Sequence, residues 1–182
     1  LYLLKDNLLL NQVTSVEVVQ VALADIEDSL ALKRDAGYKD GDRYLAMRKN
    51  MNKQVASVSA DCGDMEIVPV TTLDRFFSIN GKAFQKIDFI KMDVEGGEFA
   101  VFRGARQLLL SNPEVVMFFE CTPQGCYCAG HTMEDVIHYL SDLGFCLFCR
   151  GYSSNTWVSN IDELKQAGNI WACRDAKQLP PF

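Results

Sequence analysis

Residues 87–98 read IDFIKMDVEGGE. An apolar run ends in Asp93 and Glu95, two glycines follow, and then comes Glu98. A strand needs no knot of negative charge in order to stop. In an open α/β sheet with parallel strands, however, ligands gather outside the carboxyl ends of the strands. The stretch therefore reads as a strand delivering acids to a crevice, with Gly96 and Gly97 letting the backbone turn sharply or approach a ligand closely.

The flanking sequence fits that architecture. After Glu98, residues Val101, Phe102, Ala105, Leu108 and Leu109 form one helical face, while Arg103, Arg106 and Gln107 face out. Asn112 and Pro113 stop this helix. EVVMFFE (114–120) is a second buried strand that ends in a carboxylate, Glu120. Adjacent strands lie about 4.8 Å apart, so Asp93, Glu95 and Glu120 are expected to converge. Upstream, VEVVQVAL (16–23) reads as a parallel strand buried on both faces. MEIVPV (65–70) reads as a strand whose Pro69 marks an edge. Thr71 with Asp74 resembles a capping-box start for the helix TLDRFF.

Downstream, a cysteine-rich loop leads to Thr132 and Asp135, which start a helix with Met133, Val136, Ile137, Leu140 and Leu143 on one face and Gly144 at its end. FCLFCR (145–150) and NIWACR (169–174) are strands separated by the short acidic helix IDELKQ. With no long helix between them, the last pair is expected to be antiparallel. Strands alternating with helices give an α/β fold with a mostly parallel sheet in a single domain, 1–182, interrupted by a loop and edge-strand insertion at 27–64.

The composition sets limits. The chain has 182 residues, 48% hydrophobic, and a net charge of −6, which argues against a nucleic-acid partner, because phosphate binding needs a basic footprint. No apolar run approaches the roughly 20 residues that span a bilayer, so no membrane partner is expected. The seven cysteines are odd in number, several sit in strand-like runs, and no Asn-x-Ser/Thr acceptor occurs. Reduced thiols in a cytoplasmic protein account for this better than a disulfide framework. Leu1 to Leu10 reads as a helix already in progress, with Leu1, Leu4 and Leu8 on one face, as if the chain were the later part of something longer.

Each acid also has a plain reading. Glu98 suits the dipole of a helix N-terminus, Asp93 could cap the helix, and Glu120 could be a solvated turn residue.

The run VTTLDRFF, then IDFIKMDVEGGEFAVFRGARQLL, then PEVVMFFE resembles the FkbM-type methyltransferase family, most specifically at Lys91 to Glu98. The similarity is dense from Thr71 to Glu120 and continues more weakly on both sides. The resemblance implies a Rossmann-like class I methyltransferase fold with the last strand antiparallel. It also implies S-adenosylmethionine as cofactor and methyl transfer to a hydroxyl of a sugar or other small-molecule acceptor. Asp93 falls where such enzymes place an acid near the methionine end of the cofactor, Glu95 is two residues beyond it, and Asp25 falls in the region against adenine. Glu95 and Glu120 would serve the acceptor side, with His131 a candidate base because imidazole titrates near neutrality. The first strand and glycine-rich turn of that fold do not precede Leu1, so the domain is expected to be N-terminally incomplete and to bind cofactor poorly by itself.

Other readings stay open. The three acids would also suit a hard divalent ion. Cys121, Cys126, Cys128 and His131, with Cys146 and Cys149 nearby, could hold a structural zinc in an interaction module. A non-catalytic methyltransferase-like fragment is the third reading. Acceptor choice would lie in the variable loops 27–64 and 121–131.

Overall fold

The computed structural model describes residues 2–33, 65–81, 85–151 and 156–181. The chain opens with α1 (Tyr2–Leu10), then β1 (Ala22–Leu23), β2 (Asp28–Lys33), β3 (Met65–Thr71), α2 (Leu73–Ile79) and β4 (Phe89–Met92). There follow α3 (Glu98–Gly104), α4 (Arg106–Ser111), β5 (Val116–Glu120), α5 (Pro123–Ala129), α6 (Met133–Asp142) and β6 (Cys146–Arg150). The remainder is β7 (Trp157–Val158), α7 (Ile161–Ala167), β8 (Asn169–Cys173) and a 3-10 turn at Ala176–Gln178.

The strands form two mixed sheets rather than one mostly parallel sheet. The larger has the order β4-β5-β8-β6-β7 and the smaller β1-β3-β2. In the larger, β4 and β5 are parallel, and β8 runs antiparallel between β5 and β6. The last strand is thus antiparallel, as its sequence suggests, and β4, β5 and β6 share one direction.

Side chains alternate across this sheet with the period of two that a pleated strand imposes. Met117, Phe119, Ile170, Ala172, Leu147 and Cys149 are buried. They join Val101 and Phe102 of α3, Leu109 of α4, Val136 and Leu140 of α6 and Leu164 of α7 in the main core. Phe102 and Phe119 meet edge to face at 4.9 Å. The other face is only half-buried and carries a stack of rings. Trp171 lies 4.7 Å from Phe118, 5.7 Å from Trp157 and 6.0 Å from Phe89.

Several expectations need correction. Only Ala22–Leu23 of 16–23 form a strand, and Val16 and Val19 are exposed. That strand pairs with β3, not with β4 or β5; β-branched residues suit any extended chain, so the run overstates the strand. β4 is an end strand of its sheet, with Phe89 half-exposed. Pro69 stands in the central strand of the small sheet, but β1 pairs only with Val70 and Thr71, so at Pro69 that side of β3 is unpaired by β1. α1 forms, yet Leu3, Leu4, Leu9 and Leu10 are exposed, so its apolar residues build no core. Within 27–64, residues 28–33 are a strand antiparallel to β3; 34–64, including the edge strand read at 55–60, lie outside the described residues.

The helix read at 98–110 is two helices. α3 ends and α4 begins at Ala105, where φ is −110°. Thr72, not Thr71, caps α2, accepting from Arg75 N–H at 3.0 Å. Asp74 instead accepts from the N–H groups of Gln107 and Leu108 at 2.9 and 2.8 Å, and so supplies the cap that α4 does not find in its own flanking residue. Thr132 and Asp135 do form the expected capping box. Gly104 packs α3 onto the small sheet; a Cβ there would stand 2.1 Å from the carbonyl oxygen of Ala24.

Candidate active site

At the carboxyl end of β4 the chain turns sharply. Glu95 has φ +51° and Gly96 φ +93°. The left-handed region is open to glycine and strained for other residues, so Glu95 is a local outlier of the kind that collects at functional sites. The Gly97 N–H donates to Val94 O at 3.0 Å and closes the turn. Gly96 lies against the first turn of α5, where a Cβ would stand 2.7 Å from the carbonyl oxygen of Gly125.

This turn brings the predicted acids together. Asp93, Glu95 and Glu120 each place a carboxylate oxygen within 4.8 Å of the others. Asp93 is exposed and is paired with Lys91, whose Nζ lies 3.0 Å from its Oδ2. Beside this triad is a cleft of ≈ 430 Å³ lined by Glu95, Gly96, Glu98, Glu120, Thr122, Gln124, Gly125 and Cys128. The Lys91 ammonium offsets part of the repulsion among the three carboxylates, and a further positive charge would offset more. Such an arrangement can hold the cationic part of a ligand, and a carboxylate beside it can accept a proton from a hydroxyl.

Glu98 is the residue whose role the sequence reading missed. It stands in the first turn of α3, where the dipole reading places it, but it is only 3% exposed. Its Oε1 accepts from Val94 N–H at 3.1 Å. Burial pushes its carboxyl above the usual range, hydrogen bonds from backbone groups oppose that, and the nearby Glu120 charge adds to it.

The segment 121–131, read as a loop, contains α5. Thr122 caps it, accepting from Gly125 N–H at 3.1 Å, and Pro123 follows at the first helical position. That Thr-Pro pair is the signal that would have placed a helix start, rather than a loop, at this point.

Two predicted residues lie apart. Asp25, at the end of β1, is 2.5 Å from Arg103 Nη2. That guanidinium sits 4.6 Å over the Phe99 ring, against which His131 packs at 5.0 Å. Asp25 and His131 therefore stand at two ends of one stacked row, and neither lines the cleft.

The zinc arrangement does not assemble either. Cys121 and Cys126 are buried with sulfurs 3.6 Å apart, but Cys128 is exposed and His131 belongs to the Phe99 stack. Among the described residues, the one group of three or more potential ligands is the acidic triad.

Among the described residues no helix is long and apolar enough to cross a membrane. No curated protein and no solved structure matches the chain. Residues 4–147, most of its length, match the family model for the methyltransferase FkbM domain.

Proposed function

Because the chain belongs to the FkbM methyltransferase family, we propose that it transfers a methyl group from S-adenosylmethionine to a hydroxyl oxygen of a small-molecule acceptor, such as a sugar, in the cytoplasm. The observation that supports this reading is the convergence of Asp93, Glu95 and Glu120 beside a cleft at the carboxyl ends of β4 and β5. The chemistry of the donor set fits the cofactor, whose methionine end carries a sulfonium and an ammonium. Gly96, without a side chain, lets the turn bearing these acids close against α5.

When bound, S-adenosylmethionine supplies an electrophilic methyl carbon on its sulfonium. Asp93 and Glu95 would hold its positive end. Glu120, on the neighbouring strand, would orient the acceptor hydroxyl and take its proton. Thr122 Oγ1 already accepts from Gly125 N–H, which leaves its own O–H to donate to the acceptor. Alignment of the two reactants in such a cleft carries much of the rate. Asp25 and His131 have no part in this assignment, since neither belongs to the acidic triad that joins Asp93 to the cleft-lining Glu95 and Glu120.

The test is calorimetry with S-adenosylmethionine on the full-length protein. Binding by the wild type and weaker binding by Asp93→Ala are expected. Glu120→Gln keeps shape and removes charge, so it should lower transfer of a labelled methyl to hydroxyl acceptors while leaving the melting temperature almost unchanged. No binding by the wild type, or equal binding by Asp93→Ala, overturns the reading.

A further inference from the structure

We infer that Glu98 is a positioning residue: it holds the turn between β4 and α3 in the shape that aims Glu95 at Asp93 and Glu120. The consequence for binding rests on the methyl-transfer reading; the geometry does not.

Two successive left-handed residues, Glu95 and Gly96, form a turn that relaxes unless neighbours over-determine it. Gly125 blocks it on one side, since its carbonyl leaves no room for a side chain at position 96. Glu98 fastens it on the other. Its carboxylate reaches back over the turn and accepts from Val94 N–H at 3.1 Å. A carboxylate this deeply buried needs hydrogen-bond partners, and Val94 N–H supplies one to Oε1. The first turn of α3 suits its charge, and the bond to Val94, which precedes the helix, ties that charge to the turn as well. If the Glu98 contact is lost, the strain at Glu95 has a way to relax, and the Glu95 carboxylate swings off the triad.

The experiment compares Glu98→Met, which fills the space without an acceptor, with Glu98→Gln, which keeps one. Glu95→Gln and the double variant Glu98→Met with Glu95→Gln complete a cycle, all in the full-length protein. Amide hydrogen exchange is read at Val94 and Gly96, and S-adenosylmethionine binding by calorimetry. Glu98→Met should speed exchange at both amides and weaken binding by roughly tenfold or more, as a small misplacement of a site group does. Glu98→Gln should restore both. In the Glu95→Gln background, Glu98→Met should cost no further binding, because its effect passes through Glu95. A merely structural role would give additive losses. Additive losses, unchanged exchange in Glu98→Met, or no rescue by Glu98→Gln overturn the inference. If Glu98→Met does not fold, Glu98→Ala takes its place in the cycle. If the wild type takes no S-adenosylmethionine, the methyl-transfer reading fails by itself, and exchange at Val94 and Gly96 decides the role of Glu98.

Discussion

Asp74 and Leu108 are joined across 34 residues of chain: one oxygen of the Asp74 carboxylate accepts from Leu108 N–H at 2.8 Å, and the other accepts from Gln107 N–H at 2.9 Å. A residue of α2 thereby caps α4. The bond also accounts for the break at Ala105, because α4 starts a fresh N-terminus with open donors that Asp74 satisfies. Asp74→Ala should cost about 1–2 kcal/mol, the usual worth of a cap, and Asp74→Asn should cost less. Urea unfolding with an unchanged m-value would show this.

Gly104→Ala should be among the most damaging single-methyl additions in the chain. Its Cβ would fall 2.1 Å from Ala24 O, which is backbone and cannot rotate aside. A loss of about 3 kcal/mol, the upper part of the overpacking range, is expected. Gly130→Ala is the control, because nothing lies within 4 Å of a Cβ there and only the positive φ is unfavourable. Thermal melts of the two variants make the comparison.

Arg174 gathers the ends of two helices. Its guanidinium donates to Leu109 O, Asn112 O and Leu143 O at 3.0–3.2 Å and lies 3.9 Å from the centre of the Phe145 ring. Burial lowers its pKa, but guanidinium stays charged throughout the usable pH range. Lysine cannot reproduce the fork, so Arg174→Lys should rescue little of the roughly 2–3 kcal/mol expected to be lost in Arg174→Ala. Chemical denaturation of both variants tests this.

Thiol labelling should divide the cysteines sharply. Cys128 and Cys146 are exposed, while Cys121, Cys126, Cys149 and Cys173 are buried. The hydrogen bond with Cys126 and then burial push the Cys121 thiol up, and burial does the same for Cys149 and Cys173. A thiol that is both buried and protonated is a poor nucleophile; the hydrogen bond with Cys121 pulls the Cys126 thiol down instead, so Cys126 is shielded by burial alone. Brief alkylation of native protein followed by peptide mapping should mark Cys128 and Cys146 and spare those four until denaturant is added.

Glu98 sets a pH dependence with a definite sign. Its folded-state pKa is raised, mainly by burial, above the ordinary value of 4.5, with the Glu120 charge adding to it. The thiols of Cys121 and Cys126 are its other titratable neighbours. A raised carboxyl contributes stability that is full below the unfolded pKa and is lost as pH rises through the folded one. Glu98→Gln retains the acceptor and removes the charge. Its stability relative to wild type should therefore climb as pH increases from 4.5, and denaturation curves at several pH values would check it.

The parts of the fold legible in the sequence were those set by neighbours along the chain. Met117 and Phe119 alternate with Phe118 because successive side chains of a strand point to opposite faces, and Thr132 with Asp135 caps a helix three residues away. The acids at 93, 95 and 120 were legible because strand direction fixes which edge they leave from. What escaped depends on contacts made across space. The Asp74 cap lies 33 and 34 residues from the amides it serves, so its spacing to Thr71 pointed to the wrong helix. The burial of Glu98 depends on the turn ahead of it and the approach of α5, which no local pattern records. His131 was chosen for its titration range, and its packing on Phe99 is a property of the folded surface.

The aromatic stack on the open face of the large sheet determines what light can report about this protein. The chain has two tryptophans, and both belong to that stack, with Trp157 also donating through Nε1 to Pro180 O at 3.3 Å. Their emission therefore records the condition of one face and of the C-terminal segment beside it. A ligand entering the acidic cleft, which no tryptophan lines, would pass without direct quenching. Fluorescence would follow the loosening of β5, β7 and β8, while occupancy of the cleft calls for a reporter placed there, for which the exposed thiol of Cys128 offers a natural attachment point.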